Sequence, residues 1–291
     1  MTPSNHSSHW VLCLTVAVSL GALCLTVPTA WPPVLLAHGQ GNAVAVVSAA
    51  SFTQPVAPES IVAAFGVNLA TRVEAAASQP LPTQLAGTTV RVNGQLAPLF
   101  FVSPNQINCL VPAGTPSGAV SVVVTSGDGT ISQGTVRIAT AAPSLFTANA
   151  SGLGVPAAVA LRVKSDGTQT TEAISRFDQA QNRFVTVPIS LGPEGEQVFL
   201  ILFGTGIRGR ERLADVSALI GGANVPVLFA EAQSDFAGLD QINVGPLPRA
   251  LLGRGRINRV QFSKVGRNPT NGRLLLANSS EWSRTIGKLV F

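Results

Sequence analysis

Tyrosine is absent from these 291 residues, and the three histidines, His6, His9 and His38, all precede residue 39. The rest of the chain therefore cannot build a Ser-His-Asp or Cys-His catalytic group, nor a histidine-rich metal site. Charge is scarce as well. Asp, Glu, Lys and Arg together make 11% of the chain, against roughly 25% in ordinary soluble domains. Cysteine is nearly missing: Cys13 and Cys24 lie in an apolar N-terminal run, which leaves Cys109 with no partner for an internal disulfide. Its place in the alternating stretch NCLVP marks it as a buried structural thiol rather than a nucleophile.

What the chain does have is Gly, Pro, Val, Ala, Ser and Thr, a composition that makes short strands and turns. The N-terminal run, Val11 to Val27, is uncharged. It is shorter than the roughly 20 residues of a membrane span and reads as a secretory h-region followed by small residues. Residues 1–40 are thus expected to be a signal peptide and spacer, with membrane attachment only through an uncleaved N-terminal segment. Charge is uneven along the remainder. Residues 249–291 carry nine basic groups and one acidic group, and they account for the net +5. Aromatic interleaving there is limited to Phe262 and Trp282, so specific single-strand nucleic-acid stacking is not expected. A solvated face is the simpler reading.

The dominant feature is an internal repeat. Phe65-Gly66 matches Phe203-Gly204, and Asn93-Gly94 matches Gly221-Gly222. Ala97-Pro98-Leu99-Phe100 matches Val225-Pro226-Val227-Leu228, and Gln106-Ile107-Asn108 matches Gln241-Ile242-Asn243. A period near 135 residues is the size of a domain. The first copy, 42–142, reads as seven short alternating strands with turns at Asn93-Gly94, Ser103-Pro104-Asn105 and Gly127-Asp128-Gly129. That pattern points to a Greek-key sandwich. Residues 143–190 read as a β-hairpin connector and 191–291 as the second module with a divergent basic tail. A short helix is expected only at Arg212–Leu219.

Gly204-Thr205-Gly206-Ile207-Arg208-Gly209 is a G-x-G-x-x-G behind the apolar run VFLILF, the outline of a dinucleotide-binding turn. Its twin, Phe65-Gly66-Val67-Asn68-Leu69, lacks the other two glycines, which favours a turn at the end of a sandwich. The carboxylate pairs Glu194/Glu196 and Asp235/Asp240 are the remaining enzymatic candidates, as glycan-hydrolase acids. Their Gly- and Ser-flanked settings read as solvated surface. The two Gln-Ile-Asn elements read as structural, with amides free to satisfy backbone groups. No catalytic, cofactor-binding or metal-ligating residue is assigned. The ligand-facing loop is expected around Asn68, Gly206 and Arg208.

The paired motifs F-G-x-N-L and V-x-N-G-x-x-A-P-L-F-F-V-S-P-x-Q-I-N resemble the C-terminal module of large secreted proteins of soil bacteria. That module is similar to the IPT/TIG branch of immunoglobulin-like folds. The resemblance spans about residues 43–258 and implies an all-β fold of two tandem immunoglobulin-like sandwich modules joined by a short β insert. It departs at residues 265–291, which lack a final alternating strand and are expected to be divergent. The function it implies is a secreted, non-catalytic interaction protein, in adhesion, in contact with an extracellular protein or polysaccharide, or as a spacer. A secreted glycan hydrolase, or a nucleotide-binding enzyme using Gly204–Gly209, is the alternative.

Overall fold

Period-two burial builds the first sandwich. In a computed structural model of the chain, which describes residues 42–251 and 260–262, ten strands precede residue 142. They are β1 (Asn42–Ala43), β2 (Ala45–Ser48), β3 (Ile61–Phe65), β4 (Glu74–Ala75), β5 (Thr89–Val92), β6 (Gln95–Leu96), β7 (Leu99–Val102), β8 (Gln106–Leu110), β9 (Gly118–Thr125) and β10 (Ile131–Ile138). In β9, Val120, Val122 and Val124 are buried while Ala119 and Ser121 face water, as a half-covered strand requires. The sheets run β1-β10-β9-β5-β6 and β2-β3-β8-β7-β4. The chain crosses between them at Val44, and Gly134 makes the crossing possible. A Cβ there would come within 3.0 Å of the Val44 carbonyl oxygen. Asn93 and Gly94 both have positive φ, 49° and 79°, the conformation a two-residue β5–β6 turn demands. Val62, Val90, Leu99, Ile107 and Val124 are among the fully buried side chains between the sheets.

The second sandwich has its own core. Its strands are β11 (Ser144–Leu145), β12 (Ala158–Val163), β13 (Gln169–Ala173), β14 (Ser175–Asp178), β15 (Arg183–Thr186), β16 (Gln197–Thr205), β17 (Ala218–Ile220), β18 (Ala223–Val225), β19 (Val227–Ala232), β20 (Asp240–Val244) and β21 (Val260–Phe262). One sheet runs β13-β12-β16-β20-β19, with β11 also on β16; a second runs β18-β17-β21. Of residues 143–190, expected as a β-hairpin connector, β11, β12 and β13 join the sheet of β16. Only β14 and β15 stand apart, as a hairpin in which Phe177 and Phe184 meet edge to face at 5.4 Å. The protein is all-β, built as tandem sandwich modules. Two single 3-10 turns, Leu213–Asp215 and Arg249–Leu251, are the helical elements among the described residues. The helix expected at Arg212–Leu219 is thus one turn. The Asp215 carboxylate caps it by accepting the Arg212 N–H at 3.1 Å, and β17 begins at Ala218.

The repeat extends to an irregularity in strand pairing. Strand order β3-β8-β7 in module one recurs as β16-β20-β19 in module two. Both pairs carry a register shift at the same place, between Leu99 and Phe101 and between Val227 and Phe229. Ile107 and Ile242 are fully buried. The flanking amides bond to each other rather than to backbone: Gln106 Nε2 donates to Asn108 Oδ1 at 2.8 Å and Gln241 Nε2 to Asn243 Oδ1 at 2.9 Å. Residues i and i+2 share a face of a strand, which brings the two amides together. Residues 1–41, with the expected signal peptide, Cys13 and Cys24, and residues 265–291 lie outside the described residues.

Candidate functional site

The G-x-G-x-x-G loop does not open a helix. It ends β16, which is antiparallel to β11, β12 and β20, and it turns at once, with the Arg210 N–H donating to the Ile207 carbonyl at 3.2 Å. The glycines serve a different neighbour. Cβ atoms on Gly204, Gly206 and Gly209 would come within 3.0 Å of the carbonyl oxygens of Ser144, Ala142 and Thr140 respectively. The chain entering module two crosses directly over the loop, and the Ala142 N–H donates to the Gly206 carbonyl at 2.8 Å. Module one solves the same crossing at Gly66, whose Cβ would meet the Ala43 carbonyl oxygen at 2.9 Å. The middle glycine is a conformational choice too. Gly206 has φ +75° and its twin Asn68 has φ +55°; asparagine is among the few other residues that tolerate this region.

Two consecutive backbone N–H groups of the loop form an anion-binding concavity, and an internal carboxylate fills it. Asp240 Oδ2 accepts the Ile207 N–H at 2.6 Å and the Arg208 N–H at 3.3 Å, while Oδ1 accepts Arg208 Nε at 2.6 Å. In module one the equivalent donor, the Leu69 N–H, goes instead to the Pro104 carbonyl at 2.9 Å. Asp240 is fully buried. Burial pushes its carboxyl up, opposed by the Ile207 N–H and by Arg208. A phosphate would have to displace this carboxylate, so the sequence match to a dinucleotide loop does not carry over into a phosphate site.

The same loop meets module one. The Ile61 N–H at the start of β3 donates to Thr205 Oγ1 at 2.8 Å, and that hydroxyl donates to the Gly238 carbonyl at 2.7 Å. Arg208 Nη1 lies 3.8 Å from Glu59 Oε1, and Arg208 Nη2 donates to the Leu239 carbonyl at 2.7 Å. A Cβ on Gly238 would collide with Leu110 and Ile61 of module one. Ser51 Oγ and Ser144 Oγ share a hydrogen bond at 3.0 Å. Of the three loop residues expected to face a ligand, Gly206 is buried and Arg208 is 16% exposed at its side chain, both at this junction. Asn68 is exposed, at the corresponding end of the other sandwich, beside Val67 at 56% and near Val73 at 66%.

Of the other carboxylate candidates, Glu196 and Asp235 are also engaged, while Glu194 is exposed on the surface. Glu196 pairs with Arg162 at 2.9 Å, and the same guanidinium binds Glu172 at 2.5 Å and the Ser190 carbonyl at 2.7 Å. Arg162 holds the Glu172 carboxyl below the usual carboxylate range. Arg210 pairs with Glu231 and Arg212 with Asp215. Asp235 bonds to Gln233 and Ser234. Among the described residues no group of three or more His, Cys, Asp or Glu is placed to hold a metal, and no helix is long and apolar enough to cross a membrane. Cys109 is buried, and desolvation pushes its thiol up to about 12. The sequence reading missed the joining role of Asp240. The signal was present: a carboxylate stands before Gln-Ile-Asn where the twin has Asn105, and Arg208 stands where the twin has Ala70.

No curated protein matches the chain in sequence. Among solved structures it is similar to an auxiliary nutrient binding protein from Bacteroides ovatus, at 13% identity over 70% of this chain and 46% of that one, with a TM-score of 0.23. It is similar to the corresponding protein of Bacteroides thetaiotaomicron at 11% identity over 77% and 54%, with a TM-score of 0.24. The plexin A4 extracellular region matches at 10% identity over 82% and 18%, with a TM-score of 0.23. The chain thus spans less than two thirds of each of these structures. Residues 45–138 match the family model of the IPT/TIG domain, and the first module is accordingly an immunoglobulin-like domain.

Proposed function

We propose that this chain is a secreted, non-catalytic interaction protein that meets an extracellular protein or polysaccharide through its exposed loop ends. The observation that carries this reading is how the polar groups are used. Asp240, Arg208 and the glycine-rich loop satisfy one another at the module junction. Arg162, Glu172 and Glu196 do the same within module two. The IPT/TIG match of module one and the signal-like segment Val11 to Val27 support the same reading. Catalytic carboxylates need a cleft and unmatched environments, whereas these are neutralised in place. The end of module one around Val67, Asn68 and Val73 is the proposed contact surface.

The test is a glycan-array and protein pull-down screen with the purified full chain, run beside assays for glycan hydrolysis and nucleotide binding. Retention of a partner without turnover, weakened by Asn68→Ala with Val73→Ser, is the expected result. Hydrolysis of an arrayed glycan, or saturable nucleotide binding, would replace this proposal with an enzymatic one.

A further inference from the structure

We infer that the Asp240-filled loop is a latch that fixes the two sandwiches in one relative orientation, whatever partner the protein meets. The argument starts from module two's own needs. To close its strand end, module two requires only an acceptor for the Ile207 N–H. Module one meets the equivalent need with a backbone carbonyl, that of Pro104. Module two uses a buried carboxylate instead, which adds a requirement for a cation. Arg208 is that cation, and it leans toward Glu59 of module one. The neighbouring Thr205 is occupied on both sides. Its hydroxyl accepts a strand-end N–H of module one and donates to a carbonyl of module two.

These groups form one chain of contacts from Glu59 and Ile61 to Asp240 and Gly238. Gly238 closes it by steric fit, because any side chain there would strike Ile61 and Leu110. A flexible tether would leave Ile61 N–H and Thr205 Oγ1 to water. Here Thr205 is fully buried, so separating the modules exposes it and strips Ile61 of its acceptor. Separation exchanges these bonds for bonds to water, whereas removing one partner with the modules still docked leaves the other buried and unmatched, which is costly.

The experiment measures the distance between spin labels on the two modules of the full chain, at Ser121→Cys and Asn224→Cys, with Cys13→Ser and Cys24→Ser. Cys109 stays in place, since it is buried and protonated. A single narrow distance distribution is expected. It should broaden in Asp240→Ala, and 1-carbon or 2-carbon carboxylates such as formate or acetate should narrow it again by refilling the vacated concavity. Thr205→Val keeps the side-chain shape and should broaden the distribution without a carboxylate being lost; it decides the matter if Asp240→Ala does not fold. A broad distribution in the unmodified protein, or a narrow one unchanged in Thr205→Val, overturns the latch.

Discussion

At the residue scale the chain uses few charges, and it pairs those at the module junction and around Arg162. Asp240 is the sharpest case, a buried carboxylate held by two backbone N–H groups and one guanidinium. Truncating it leaves Arg208 Nε and the Ile207 N–H without an acceptor, and breaking a buried pair typically costs about 3–5 kcal/mol. Asp240→Ala is therefore expected to lower the urea midpoint well beyond what Asp235→Ala does at the exposed turn nearby. Equal effects would show that the pairing is not what stabilises the loop. Cys109 gives a second expectation. Its thiol is buried and held protonated toward about 12, and the thiolate is the reactive form. At pH 8 a disulfide reagent should leave it untouched in the folded protein and label it at once in denaturant. Rapid labelling of the native protein would contradict its burial.

At the element scale, β12, β13 and the loop before β16 are joined by Arg162, which reaches Glu172, Glu196 and the Ser190 carbonyl. Glu172 titrates below its ordinary value because Arg162 bonds its ionised form. A carboxylate depressed in the fold stabilises it above the unfolded pKa, and that contribution fades as pH falls through the folded one. Acid unfolding should thus be shallower in Glu172→Gln than in the parent, while the two behave alike in their pH dependence near neutrality. A parallel pH dependence in acid would remove Glu172 from the account. Much of this scale was legible in the sequence. Alternating Val in β9, the Asn93-Gly94 turn and the duplicated Gln-Ile-Asn motif each have a local cause that a short window reveals. The crossing of Thr140, Ala142 and Ser144 over three glycines was not, because G-x-G-x-x-G serves any close neighbour, phosphate or backbone. Only the long-range contact, some 65 residues apart in the chain, says which. The Arg162 clasp was hidden for the same reason, since Glu172 and Glu196 are brought together by sheet pairing rather than by spacing.

At the scale of the whole molecule, charge separates by region. Residues 42–251 carry 11 basic and 13 acidic groups, while residues 252–291 carry eight basic groups and one acidic group. Arg208, Arg210 and Arg212, which look in sequence like a basic cluster, are each paired with a carboxylate. Any attraction for a polyanion should depend on the last segment. Arg254→Gln, Arg256→Gln and Arg259→Gln together are expected to reduce the salt needed to elute the chain from a heparin column, whereas Arg210→Ala should leave it unchanged. Elution that tracks Arg210 instead would place the anionic contact on the second sandwich.

The register shifts in the β7–β8 and β19–β20 pairs have a mechanical consequence. An extra residue in a ladder bends the bulged strand and increases its local twist. Leu99 to Phe101 and Val227 to Phe229 share it, so the same bend recurs in both sandwiches, just after Pro98 and Pro226. The Asp240–Arg208 pairing is found in one copy alone, at the end where the second sandwich meets the first.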